Sequence, residues 1–331
     1  MDNTAHQEAT RYMHDRLGRE AILRLHKENH FYDALALISI WATFFVLMYL
    51  LASLPFGWIW LGCFILQGFV LQMLGFCSHD LFTHRRVGGQ LVSRIGGMLC
   101  LTPLLVSATA VTKTHLEHHR YFGTKKDSEA YKSDLDRRWV KLFFLCLPGI
   151  LLVTSRKLSR QPTDEFAYMG SARYQDKETV NKVKFEQKVV IIFIVCVIGL
   201  AIIWPGYILL GYVLPLFLAM PLASTLRTVL EHADIQPENP FNTSTNFKTG
   251  FVSRLLFFWD SGDCHIVHHF FPSIPFYRIG SALELMSPIF KEKGAIEQKS
   301  LVKIIYKWFV ENRVHGTNWQ QPGQQEVVID R

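Results

Sequence analysis

Charge is what this sequence has least of. Only 19% of its 331 residues are Asp, Glu, Lys or Arg, whereas 49% are hydrophobic, and the mean hydropathy is +0.14. That balance excludes a disordered chain and is too apolar for an ordinary soluble enzyme. Cysteine is sparse as well. Cys63, Cys77, Cys100, Cys146, Cys196 and Cys264 contain no C-x-x-C pair, which argues against a disulfide framework, a thiolate zinc site and an iron–sulfur cluster. Also missing are a G-x-G-x-x-G turn for a flavin or nicotinamide and the His-Pro-Gly-Gly signature of a fused haem module. No Gly/Ser/Pro-rich linker divides the chain, so one integrated domain is expected.

The lack of charge is concentrated. From Ala34 to His79, and again from Val189 to Leu226, there is no Asp, Glu, Lys or Arg. A helical crossing of a bilayer takes ~20 residues, so each tract holds two. The reversals are visible as Leu54-Pro55-Phe56-Gly57 and Trp204-Pro205-Gly206-Tyr207, since Pro and Gly end helices. Trp58, Trp60, Trp204 and Tyr207 lie where an aromatic belt is expected. The crossings are therefore expected at about 34–54, 57–78, 189–204 and 206–226, inside a membrane domain of residues 32–290. An N-terminal arm (1–31) precedes it and a C-terminal extension (291–331) follows.

All 35 Lys and Arg lie outside residues 32–84 and 189–226. By the positive-inside tendency both ends and the central segment face the cytoplasm, and the two turns face the far side. The net charge of +7 then reads as membrane orientation rather than nucleic-acid binding. The N-terminal arm lacks the pattern of a cleaved leader, so the first crossing is expected to act as the membrane signal. Ile95–Thr112 and Trp139–Val153 are apolar but short, and are expected as interfacial or re-entrant helices. Asn318–Arg331 is expected to be a loose polar tail. The expected fold is thus all-α and integral to the membrane, with four transmembrane helices in two hairpins under a cytoplasmic helical cap.

What the sequence has in excess is histidine. There are 14, and nine fall in tight groups: His79 and His84; His115, His118 and His119; His232; His265, His268 and His269. H-x-x-H-H occurs twice, and on a helix positions i, i+3 and i+4 share one face. Neutral imidazole is the commonest protein metal ligand, and nine are more than one tetrahedral ion uses, so two metal ions are the expected count. His79 and His84 are five apart, about 140° around an ideal helix, so the helix is expected to end or bend there. A crossing at Ile95–Thr112 would put the His79/His84 pair and the His115 triplet on opposite sides. With four crossings all nine converge at one cytoplasmic boundary. His6, His14, His26, His30 and His315 read as ordinary surface or core residues.

The order H-x4-H, H-x-x-H-H, a single His, then H-x-x-H-H, interleaved with two apolar hairpins, resembles the membrane fatty acid desaturase superfamily over about residues 30–290. Local wording agrees: Ser78-His79-Asp80, Thr114-His115 through His119-Arg120-Tyr121, and His265 through His269 followed by Phe-Phe-Pro272-Ser-Ile-Pro275 with Tyr277-Arg278. Glu231-His232-Ala is closer to bacterial members. The resemblance implies that His79, His84, His115, His118, His119, His232, His265, His268 and His269 hold two Fe2+ ions, with dioxygen as co-substrate. It also implies a lipid or acyl substrate that gains a double bond. In acyl desaturases of the family an Asn four residues before the single His adds a water-mediated ligand; Thr228 stands there in this chain.

Asp80, Glu117, Glu231, Asp260 and Asp263 are candidates to orient the imidazoles through their other N–H. With no redox cofactor motif in the chain, a separate electron donor is expected, a ferredoxin or cytochrome b-type protein with its reductase. Lys125-Lys126, Arg137-Arg138, Lys182 and Lys184 would suit an acidic donor. Hydroxylase, ketolase or epoxidase chemistry would use the same ligands. A zinc hydrolase needs about three His at one ion, and a transporter places ionisable groups inside its crossings; neither fits this pattern.

Overall fold

The computed structural model describes residues 3–121, 176–232, 239–247, 262–298 and 300–311. The expected features at Trp139–Val153, Asn318–Arg331, Lys125-Lys126, Arg137-Arg138, Asp260 and His315 lie outside them. Among the described residues, four helices are long and apolar enough to cross a membrane. They are α3 (His30–Ser53), α4 (Trp58–Cys77, continuing to His84), α7 (Lys177–Ile203) and α8 (Gly206–Glu231).

Local chemistry sets their ends. The Asn29 side chain accepts from Phe31 N at 3.1 Å and starts α3, and Leu54, extended ahead of Pro55, stops it. Asp176 caps α7 by accepting from Thr179 N at 2.7 Å, so this helix begins well before the uncharged tract. The helix α8 is built partly of π-helical turns, Gly206–Val213 and Pro215–Ala219, around prolines that supply no N–H.

The helices α3, α4 and α8 pack into one apolar core through Ile40, Phe44, Leu47, Phe69, Tyr212 and Leu216. Backbones meet closely there. A Cβ on Gly68 would lie 2.5 Å from the Ala219 carbonyl carbon, and one on Gly211 would lie 2.9 Å from Met48 Cα. Gln67, fully buried between them, donates through Nε2 to the Gly211 carbonyl at 2.8 Å and the Phe44 carbonyl at 3.3 Å. By contrast α7 buries only 6% of its most apolar window, and Ile191, Ile192, Val195 and Ile198 point outward. Such a surface is compatible with a membrane-facing helix.

Between α4 and α7 lie α5 (Gly89–Leu101) and α6 (Ala108–Tyr121), bent 99° to one another. Leu105, in the left-handed region at φ 61°, makes the corner. Ile95–Thr112 is therefore not one straight crossing. The corner is held by Glu186 of α7, a buried carboxylate that accepts from Arg94 Nε (2.9 Å), Ser107 Oγ (2.6 Å), Thr109 N (2.8 Å) and Thr109 Oγ1 (2.7 Å). It caps the start of α6 from another helix, satisfying an N–H that the helix cannot.

A second core joins the N-terminal arm to the segment that follows α8. Helices α1 (Asn3–Leu17) and α2 (Arg19–Leu25) pack against α9 (His265–Phe270) and α10 (Ile279–Glu292) through Ala9, Met13, Ile22, Leu25, Phe271 and Met286. Tyr12 donates to Glu292 at 2.7 Å, and Arg16 pairs with the same carboxylate at 2.9 Å. A two-residue parallel strand pair, Asn246–Phe247 with Glu297–Gln298, is the one sheet among the described residues.

Candidate metal centre

Four segments bring all nine grouped histidines together. His79 and His84 come from the end of α4, His115, His118 and His119 from α6, His232 from the C-terminal cap of α8, and His265, His268 and His269 from α9. Sequence spacing left His79 and His84 on different faces of an ideal helix, requiring an end or a bend. Instead α4 widens into a π-helical stretch over Ser78–His84, with Arg85 N donating five residues back to the Asp80 carbonyl at 3.2 Å. That widening turns i and i+5 to one side, and the two rings stand 4.7 Å apart.

The nine divide into five and four. Ring nitrogens of His79, His84, His115, His119 and His268 all lie within 4.8 Å of one another, as do those of His118, His232 and His269. His265 joins the second group, its Nε2 3.2 Å from those of both His232 and His269. The two triplets are used reciprocally. In α6 the i and i+4 residues, His115 and His119, serve the first group and His118 the second. In α9 the i and i+4 residues, His265 and His269, serve the second and His268 the first.

Nitrogens this close form either a single hydrogen bond or a set of lone pairs turned to one cation. His79 Nε2 and His119 Nε2 both approach His115 Nε2, at 2.8 and 2.9 Å. His84 Nε2 is buried without a hydrogen-bond partner among the described residues. The donor set therefore fits metal, and imidazole suits zinc, copper, iron or nickel. Burial, and after it the neighbouring imidazoles, hold His119, His268 and His269 well below the ordinary histidine range. At neutral pH these rings are uncharged, the form that ligates.

Around the rings, Glu231 Oε1 lies 3.8 Å from His265 Nδ1 and accepts from Arg227 Nε at 2.6 Å. Asp263 is fully buried beside α9. Asp80 pairs with Arg85 at 3.5 Å, and Arg85 also reaches Asp33 at 2.7 Å and Glu28 at 3.6 Å. Thr228 donates its hydroxyl to the Ser224 carbonyl at 2.9 Å, within its own helix.

Three contributors escaped the sequence reading. Arg85 has no site role in that reading, yet only 1% of its side chain is exposed and it ties α3 to the His79/His84 turn. Glu186, which no motif singles out, holds the α5–α6 corner. His6 looked like a bystander, but its ring stacks on Phe270 at 5.3 Å and hydrogen-bonds the His269 backbone.

The family profile for fatty acid desaturase matches residues 76–300, a stretch that begins just before His79 and contains all nine histidines. This chain belongs to the fatty acid desaturase family. It is an oxidoreductase of lipid metabolism. The desaturase is also similar to a Delta(12)-oleate desaturase of Trichosanthes kirilowii, 23% identical over 308 residues that cover 82% of this chain and 81% of that one. The arm that carries His6 lies outside the family match.

Proposed function

We propose that this desaturase is a membrane di-iron enzyme that uses dioxygen to place a carbon–carbon double bond in a fatty acyl or related aliphatic chain. The observation that carries the reading is the convergence of nine imidazoles as five and four. His79, His84, His115, His119 and His268 would hold one iron, and His118, His232, His265 and His269 the other. Held there as Fe2+, the metals would supply oxidative chemistry of the kind that activates dioxygen for hydrogen removal from an unactivated C–H bond.

The protein's own groups supply the remainder. Neutral imidazoles deliver lone pairs without a proton to shed. His118, His232, His265 and His269 are each no more than 5% exposed, which keeps water from the second group. The Arg227–Glu231 pair beside His265 Nδ1 orients that ring. In the balance, two vicinal carbons give up one hydrogen each, and these, with two electrons and two protons from outside, reduce dioxygen to two waters.

The electrons come from a separate ferredoxin or cytochrome b-type donor with its reductase. The named relative favours an acyl chain as substrate and desaturation as outcome. The four apolar helices form two membrane hairpins, with the histidines at their cytoplasmic ends. Metal analysis of the purified full-length protein tests the reading. Two irons per chain are expected; one zinc, with no iron-dependent activity after reconstitution, would overturn it.

A further inference from the structure

The helix α9 is only six residues long, yet it carries three of the nine imidazoles. A helix this short has no stability of its own and takes its shape from what grips its ends. At the N-terminal end Ile266 N donates to the Thr245 carbonyl at 3.0 Å. Thr245 is fixed in turn by its N and Oγ1, which donate to the Glu231 carbonyl at 3.1 and 2.9 Å. At the C-terminal end Phe271 N returns to the Val267 carbonyl at 2.9 Å, which leaves the last carbonyls to be satisfied from elsewhere. His6 reaches that end from α1. Its imidazole hydrogen-bonds the His269 backbone, and its ring lies 13° from parallel to Phe270.

We propose that His6 is a positioning residue for the four-histidine group, capping α9 so that the His269 side chain keeps its place beside His265 and His232. It is well placed for this because α1 is itself anchored, by Met13 in the second core and by Tyr12 and Arg16 on Glu292. A basic ring on the last carbonyls of a helix is a favourable cap. His269 joins the two roles in one residue: the backbone His6 grips carries the ring nitrogen 3.2 Å from His265. His268, one residue earlier, faces the other group. The cap therefore acts on one group more than on the other. The proposal rests on the metal reading above for its effect on ions, and on the protein alone for its effect on α9.

The test uses full-length protein in detergent, as wild type, His6→Ala, His6→Phe and His6→Gln. Phe keeps the ring and loses the donor, whereas Gln keeps an N–H donor and loses the ring. In metal-free protein, hydrogen exchange across residues 265–271 should speed about five-fold in His6→Ala, the worth of one net hydrogen bond, and recover in part in His6→Gln. In metal-loaded protein, a chelator should draw one ion of the pair several-fold faster from His6→Ala and leave the other at the wild-type rate. A general loss of stability would instead speed both ions together. Unchanged exchange across 265–271 in His6→Ala, or equal acceleration of both ions, would overturn the proposal. Wild-type protein that takes up no metal would instead overturn the reading beneath it, a failure visible without any variant.

Discussion

His119 Nε2 lies 3.0 Å from His268 Nε2, and at that contact the two H-x-x-H-H helices meet. Both rings belong to the five-histidine group, while the residues beside them in sequence, His118 and His269, belong to the other. Each triplet helix thus straddles both groups, and neither group can be built from one helix alone.

Removal of His268 should for that reason be severe. Loss of even an outer-shell partner of a metal ligand costs ~10–100-fold, and His268→Ala removes a ring from the heart of the first group. Activity should fall by at least that factor and bound iron should drop. His30→Ala is the comparison: its side chain is 71% exposed and lies outside both histidine groups, although it approaches the buried Asp33 at 3.3 Å. Turnover and iron content there should stay within about two-fold of wild type. Full activity in His268→Ala at normal expression would count against the ligand assignment.

Glu186 should matter without touching a histidine. Glu186→Ala strands Arg94 and the Thr109 N–H at the α5–α6 corner, a loss expected to cost roughly 3 kcal/mol. Thermal unfolding in detergent should occur at lower temperature, and metal retention should fall with it because α6 carries His115, His118 and His119. An unfolding temperature equal to wild type would show that the corner does not depend on this carboxylate.

Arg85 and Asp33 should be coupled. With 1% and 5% of their side chains exposed and 2.7 Å between them, they form a buried pair. A double-mutant cycle of Arg85→Met and Asp33→Asn should give an interaction energy of about 1–3 kcal/mol, each single variant losing more than half of the double variant's deficit. Additive effects would mean that the link between α3 and the His79/His84 turn is not energetic.

How much of this was legible in the residues follows from what each feature depends on. The long helices could be read because burial in lipid selects against charge along a whole tract, which leaves a one-dimensional mark. So could the nine histidines, since ligand spacing on a helix is local. The division into five and four could not, because it depends on how α6 crosses α9. The π-helical widening at Ser78–His84 also left no mark, for no residue type demands it, and spacing by an ideal helix pointed to a break. Arg85, Glu186 and His6 share one difficulty: a polar residue near a membrane boundary looks the same whether water receives it or a buried partner about 50 to 260 residues away does.

Orientation is open to a direct check. Tags after Met1, near Asp127 and after Arg331 should all be protected in sealed cells, and only the turns at Pro55 and Pro205 should label from outside. External labelling near Asp127 would separate the His115 triplet from a cytoplasmic boundary.

The central claim is that the metals turn two C–H bonds into a double bond. Mass spectrometry of the product from an acyl substrate, supplied with iron, dioxygen and an electron donor, tests it most directly. A product two mass units lighter than the substrate, with the lost hydrogens from vicinal carbons, is the result expected. A product sixteen units heavier, its oxygen traced to labelled dioxygen, would contradict desaturation and make the enzyme a hydroxylase or epoxidase.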